Sequence, residues 1–293
     1  MSNIFIDKNI YPHEGKIKDH YKDFYDSVFV AFLPFFQVDI QRMDKANLMK
    51  PKQITYEEAK QEIEIFKDIP PFSADIYIYS TKDYPTDQEI IENGRMITWK
   101  SIIENAEFTN YSELNKALRT SIGALKPVFS RPDLSEKLNN LTDKQNLWHP
   151  REGVFGTFSK LAIYKTFKLF GKYQIIVTDE SYNATSTLEL DKLTDLEFSE
   201  KVSYENYCLY STDKELLFAI EWDSFFFLIA SDKEKMNKII EQRLFEGFLC
   251  NDKTEHDWDY EEGEIQKYLD IEKKQKLLKP QSTAKKQWWK FWN

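Results

Sequence analysis

Glycine, cysteine and histidine are scarce in this chain, and each shortage removes a class of chemistry. Only eight glycines occur among 293 residues, and neither G-x-G-x-x-G nor G-x-x-x-x-G-K-[ST] is present, which excludes the usual backbone cradles for phosphate. The absence of G-x-S-x-G removes the strained serine turn of the α/β-hydrolases. Cys208 and Cys250 stand 42 residues apart with no Cys-x-x-Cys pair; that fits neither a disulfide framework nor a structural zinc site, so both are expected as reduced core residues. His13, His20, His149 and His256 are scattered without His-Glu-x-x-His or comparable spacing, and are expected as surface or hydrogen-bonded imidazoles. One nucleophile and base pair stays open, His149 meeting Cys208 or Cys250 in space.

Long apolar runs are missing as well. The longest, Val28 to Phe36 with Pro34 inside it and Phe225 to Ala230, fall far short of the ~20 residues that span a bilayer. The first residues carry no basic stretch followed by an apolar one, so no secretory signal is read and the cytoplasm is the expected compartment. A net charge of -9 argues against nucleic acid as a partner, since phosphate backbones are bound through Lys and Arg that release counterions.

With 41% hydrophobic and 15% aromatic residues, the chain belongs to the globular class. Ile17, Tyr21, Phe24, Val28 and Phe32 recur at helical spacing, which predicts a first amphipathic helix ending at Pro34. Thr55-Tyr56-Glu57-Glu58 is a capping box opening a helix with Ala59, Ile63 and Phe66 inward. A short strand is expected at 75–80. Thr98 is expected to cap a helix to Ala106, and Ser112 another carrying Leu114, Leu118 and Leu125. Pro127, Pro132, Pro150 and a polar run between them read as a connection.

The second half changes character. A helix over 157–170 is expected to end at Gly171. Strands follow near 173–178, 185–190, 207–211, 215–222 and 225–230, the last so apolar that it should be central and covered on both faces. Ser231-Asp232-Lys233-Glu234 reads as a second capping box, before a helix and a return to the sheet at 245–250. The fold class is therefore α+β: a mainly helical N-terminal half, then a mostly antiparallel sheet packed by helices, then a helical, basic and aromatic tail. The corresponding divisions are 1–145, 146–258 and 259–293, with 1–258 as one integrated unit the alternative.

Ile97-Thr98-Trp99-Lys100-Ser101-Ile102-Ile103, Leu118-Arg119-Thr120-Ser121-Ile122-Gly123 and Phe245-Glu246-Gly247-Phe248-Leu249-Cys250 together resemble a Bacillus-type family of cytoplasmic proteins, domain of unknown function 2711. The resemblance spans most of the chain except the tail. It implies no activity, cofactor or site residue.

Two segments remain as candidate sites. Asp252 to Glu264 holds seven carboxylates and His256, but as a calcium loop started at Asp257 it has Glu262 where Gly is needed and Tyr268 where Glu is needed. It is read as a solvated acidic linker, or as a partner for the tail, and no metal or cofactor is expected. Gly153-Val154-Phe155-Gly156 matches an RNA-clamping loop only in spacing, and is read as a turn before a helix.

Residues 264–293 hold eight lysines against three acidic residues, +5, which leaves the rest of the chain at -14. Within them Lys285, Lys286, Trp288, Trp289, Lys290, Phe291 and Trp292 combine large rings with cations and form the expected contact site. They suit a protein partner, an apolar groove of the body or of a second subunit onto which the rings fold back, or weak contact with an anionic membrane. The function expected is non-catalytic binding of a basic partner by the acidic body, in the manner of an immunity or antitoxin protein. A peripheral membrane or scaffold protein docked by the tail, and an enzyme with an unrecognised site, are the alternatives.

Overall fold

The computed structural model describes residues 5, 9–39, 52–62, 76–78, 84–179, 184–203, 205–261 and 263–270. Helix α1 (Ile17–Tyr21) precedes strands β1 (Ser27–Phe32), β2 (Phe35–Val38) and β3 (Lys52–Ile54). Helix α2 (Tyr56–Glu62), β4 (Ile76–Ile78), α3 (Asp87–Asn93) and β5 (Gly94–Ile97) follow, then α4 (Trp99–Ala106), α5 (Tyr111–Ser121) and α6 (Pro132–Gln145). The later part comprises α7 (Thr157–Leu169), β6 (Gln174–Thr178), β7 (Thr185–Glu189), α8 (Asp195–Lys201), β8 (Cys208–Ser211), β9 (Leu216–Ile220), β10 (Phe226–Ser231), α9 (Lys233–Glu241) and β11 (Gly247–Leu249). A helical turn at 264–270 comes last.

Seven strands form one antiparallel sheet in the order β11-β1-β10-β9-β8-β6-β7. Its central strands are buried along their whole length, β1, β9 and β10 without exception. Alternation still operates, but both faces are apolar. Val28, Val30, Phe32, Leu217, Ala219, Leu228 and Ala230 join Trp99, Ile102, Leu114, Leu118, Leu134 and Leu138 of α4–α6 in one core. Phe29, Ala31, Phe218, Ile220, Phe227 and Ile229 join Ile163, Phe167, Phe198, Met236 and Ile239 of α7–α9 in the other. The protein is thus α+β in three layers, helices lying against each face of the sheet. Trp99 anchors the first core, stacked on Phe32 at 4.3 Å and donating its indole N–H to the Leu33 carbonyl at 2.7 Å.

Several elements differ from the sequence expectation. The first helix stops at Tyr21, and Val28 and Phe32 belong to β1; every residue of Ser27–Phe32 is buried, which a one-sided helix would not allow, and only a strand covered on both faces satisfies the run. Asn110 rather than Ser112 caps α5, accepting from the Glu113 N–H at 3.0 Å. Asp232 rather than Ser231 caps α9, accepting from the Lys235 N–H at 2.8 Å. The stretch read as a connection contains α6, because Pro132 sits at the first helical position, where its missing N–H costs nothing. The box at Thr55 and Glu58 forms as expected, the Thr55 N–H donating to the Glu58 carboxylate at 2.7 Å. Ile63, Phe66 and residues 271–293 of the expected helical, basic and aromatic tail lie outside the described residues.

Candidate functional site

Chain leaving β11 is tied to the first helix instead of running free as a linker. The Ile17 N–H donates to the Thr254 carbonyl at 3.0 Å and the His256 N–H to the Gly15 carbonyl at 2.9 Å. These bonds lay residues 251–256 along residues 15–17, and the chain then turns inward. Trp258 packs against Phe226, Phe248 and Phe32 with centroids 5.4, 5.2 and 5.8 Å away. Asp259 is 3% exposed and accepts from Asn115 Nδ2 at 2.9 Å and Arg119 at 3.4 Å, both on one face of α5. Burial pushes its carboxyl upward against the pull of the Arg119 guanidinium. The acidic segment is therefore a structural wall, which corrects the solvated-linker reading: an aromatic at Trp258 draws it onto the core.

The wall continues through Tyr260, whose ring lies under Lys116 and Arg119 at 5.2 and 5.6 Å, and through Glu264, paired with Lys116 at 2.9 Å. Tyr268 of the last helical turn rests on Phe129 at 5.1 Å and under Lys126. Between β11 and this wall an open groove of about 790 Å³ has Phe248, Trp258 and Ile265 in its lining. Glu255, Asp257 and Glu261 line it as well, with Lys16 and Lys253. Its openness suits a length of polypeptide better than an enclosed small molecule.

Five buried side-chain polar atoms among the described residues lack a hydrogen-bond partner, and four belong to this region: Asn115 Oδ1, Arg119 Nε, His256 Nδ1 and Trp258 Nε1. Each such atom costs about 1–3 kcal/mol when left unpaired, so their concentration marks a place whose sequence is not chosen for stability alone.

Beside the groove the β9–β10 turn presents Glu221 and Asp223. His13 Nδ1 lies 3.1 Å from Glu221 Oε1, and Arg119 reaches toward Asp223 at 3.8 Å. His256 also acts on Glu221, whose carboxyl burial nevertheless holds above its ordinary range. Burial and the Glu221 charge raise the Tyr11 phenol, which bonds Ser224. Among the described residues no group of three or more His, Cys, Asp or Glu is placed to hold a metal ion.

A second polar network sits between α3, α7 and α8. Asp87 accepts from Thr157 Oγ1 at 2.5 Å, Ser199 Oγ at 2.6 Å and Lys160 Nζ at 3.1 Å, while Lys160 also donates to the Ser199 carbonyl at 2.7 Å. Burial, opposed by Asp87, depresses the Lys160 ammonium. Ser, Lys and Asp together suggest nucleophilic chemistry, but the Ser199 hydroxyl is spent on Asp87 and the Lys160 ammonium on two acceptors. What the network does is fasten three helices.

The sequence left open a nucleophile and base pairing of His149 with Cys208 or Cys250. His149 Nε2 meets Thr142 Oγ1 at 2.9 Å and its ring abuts Phe35. Cys208 is buried in β8 opposite Ala219, and burial pushes the Cys250 thiol up to about 12, where it is no nucleophile. Both cysteines are free and buried. Lys285, Lys286, Trp288, Trp289, Lys290, Phe291 and Trp292 lie outside the described residues. Arg119, Asp259, Glu221 and His13 escaped sequence reading, since their partners are 140 and 208 positions away. Among the described residues no helix is long and apolar enough to cross a membrane.

Comparison with known proteins adds a family without adding a function. A family model described as a protein of unknown function, DUF2711, matches residues 13–260. The chain is also similar to the uncharacterized protein YwbB of Bacillus subtilis strain 168, at 25% identity over 177 residues, 60% of this chain and 77% of that protein. No solved structure matches it. The family match takes in all three layers, the His13 and Glu221 cluster and the groove wall up to Tyr260, and on that coverage the chain belongs to the DUF2711 family.

Proposed function

We propose that this is a non-catalytic binding protein of the cytoplasm that seats a basic, aromatic-bearing segment of a protein partner in the groove beside β11. The observation that carries the reading is the groove's lining, in which Phe248, Trp258 and Ile265 stand with three carboxylates, Glu255, Asp257 and Glu261, against two lysines, Lys16 and Lys253. Rings supply burial and carboxylates select cations and speed encounter, a division of labour common at interfaces. The chain's charge of -9 acts in the same direction at longer range. Neutralisation of a basic protein, as immunity proteins and antitoxins do, is the specific form of binding this suits. Two free, buried thiols agree with a reducing compartment.

The test is fluorescence anisotropy with a labelled twelve-residue peptide of Lys, Trp and Leu, added to a chain whose Trp288, Trp289, Phe291 and Trp292 are replaced by Ala. Saturable binding that weakens about tenfold when Asp257 and Glu261 become Lys supports the reading. Binding indifferent to that reversal, or equal binding of a Glu-containing analogue, overturns it.

A second reading, docking on an anionic membrane through Lys285, Lys286, Lys290 and the neighbouring rings, is favoured by their composition. Co-sedimentation of the full chain with phosphatidylserine vesicles, lost on deleting residues 281–293, is its expected signature.

A further inference from the structure

We infer that the occupant of the groove in the isolated protein is the chain's own Lys285–Trp292 segment. The inference rests on the reading of the groove as a site for basic aromatic segments, and adds which segment sits there.

Position comes first. Ile265 and Gln266, in the last helical turn, form part of the groove wall, so the chain departs from the edge of the site. Fourteen residues, 271–284, separate that turn from Lys285. A tether of fourteen residues reaches about 20 Å at about 5–6 Å × √n. An intramolecular ligand on a tether of this length acts at an effective concentration of order millimolar, so even weak contacts keep the groove filled.

Chemistry comes second. The segment offers Trp288, Trp289, Phe291 and Trp292 to Phe248, Trp258 and Ile265, and each inserted ring can bury 150–250 Å² by the usual range. It offers Lys285, Lys286 and Lys290 to Glu255, Asp257 and Glu261. No Asp or Glu follows Glu272, so the segment meets the three carboxylates with cations alone; Lys16 and Lys253, which also line the groove, offset part of that attraction. The wall itself is held firmly by the Asp259 contacts to α5, which makes the site preformed and lowers the cost of docking.

Hydrogen exchange followed by mass spectrometry on the full chain tests this. In a variant with Trp288, Trp289 and Trp292 changed to Ala, amides across residues 247–266 are expected to exchange about tenfold faster than in the parent, the effect of losing about 1.4 kcal/mol. Asp257→Lys with Glu261→Lys should give the same acceleration. Adding Lys285→Glu, Lys286→Glu and Lys290→Glu to that pair should restore protection, a rescue that damage to the fold would not produce. Unchanged exchange in the Trp variant overturns the inference, and so does failure of the rescue. Protection that rises with protein concentration alongside dimers in sedimentation would assign the site to a neighbour's segment and overturn it too. If the peptide of the preceding test binds while the parent chain shows no protection, the groove reading stands and self-occupancy alone is lost.

Discussion

Asp87 shows how much one side chain can hold when its partners come from three helices. Its carboxyl is half-buried, and although burial alone would raise it, the Lys160 charge and the bonds from Ser199 and Thr157 bring it below its ordinary value of 3.8. Asp87→Asn leaves the Lys160 ammonium enclosed without a counter-charge, and a loss of about 3 kcal/mol in urea unfolding at neutral pH is expected. A group whose folded value is depressed contributes stability above its unfolded value and loses it as pH falls through the folded one. The gap between parent and variant should accordingly close below about pH 3.8. Combining Asp87→Asn with Lys160→Met should cost less than Asp87→Asn alone, because no orphan charge remains. None of this was legible in the sequence: Asp87 meets Lys160 and Ser199 across 73 and 112 positions. The same holds for Arg119 and Asp259, while the acidic run around Asp259 was visible only as composition. Counting carboxylates suggested solvation, whereas Trp258 beside them decided burial.

At the level of elements, the strand that borders the groove depends on one glycine. Gly247 has a φ of +157°, and a Cβ there would collide with the Val30 carbonyl oxygen of β1. Backbone lies on the other side of the clash, so no side chain can yield. Gly247→Ala is expected to cost about 2–4 kcal/mol and to detach β11 from β1; calorimetry would register the loss, and faster exchange confined to residues 246–250 would locate it. Elements whose signals are local were readable: the Thr55 box, the Thr98 cap and the turn at Gly171 rest on contacts three or four residues long. Thr86 with Glu89 and Thr194 with Glu197 form the same box, yet their helices are seven residues long and too short to show a periodic apolar face. Strand β1 was misread for the opposite reason. Its apolar residues satisfy helical and extended spacing alike, and only the helices covering both faces of the sheet settle the choice.

On the scale of the whole molecule, the sheet gathers residues from both halves of the sequence, β1 standing between β10 and β11. A chain of residues 146–270 would lack that strand and the whole layer α4–α6. Leu217, Ala219, Leu228 and Ala230, now fully covered, would face water. Covering a leucine is worth about 2 kcal/mol, and a second row of such residues along β1 would be gone as well, against a total stability of about 5–15 kcal/mol for an ordinary domain. The fragment is therefore expected to stay unfolded or to aggregate, with near-ultraviolet circular dichroism lacking the aromatic bands of the parent. The intact chain is expected to unfold in urea in one step, tryptophan fluorescence and far-ultraviolet signals falling together. Two separated transitions, or a fragment with native aromatic bands, would mean that the β6–β10 part stabilises itself, and that β1 is an addition to an already complete sheet instead of the strand through which both layers are joined.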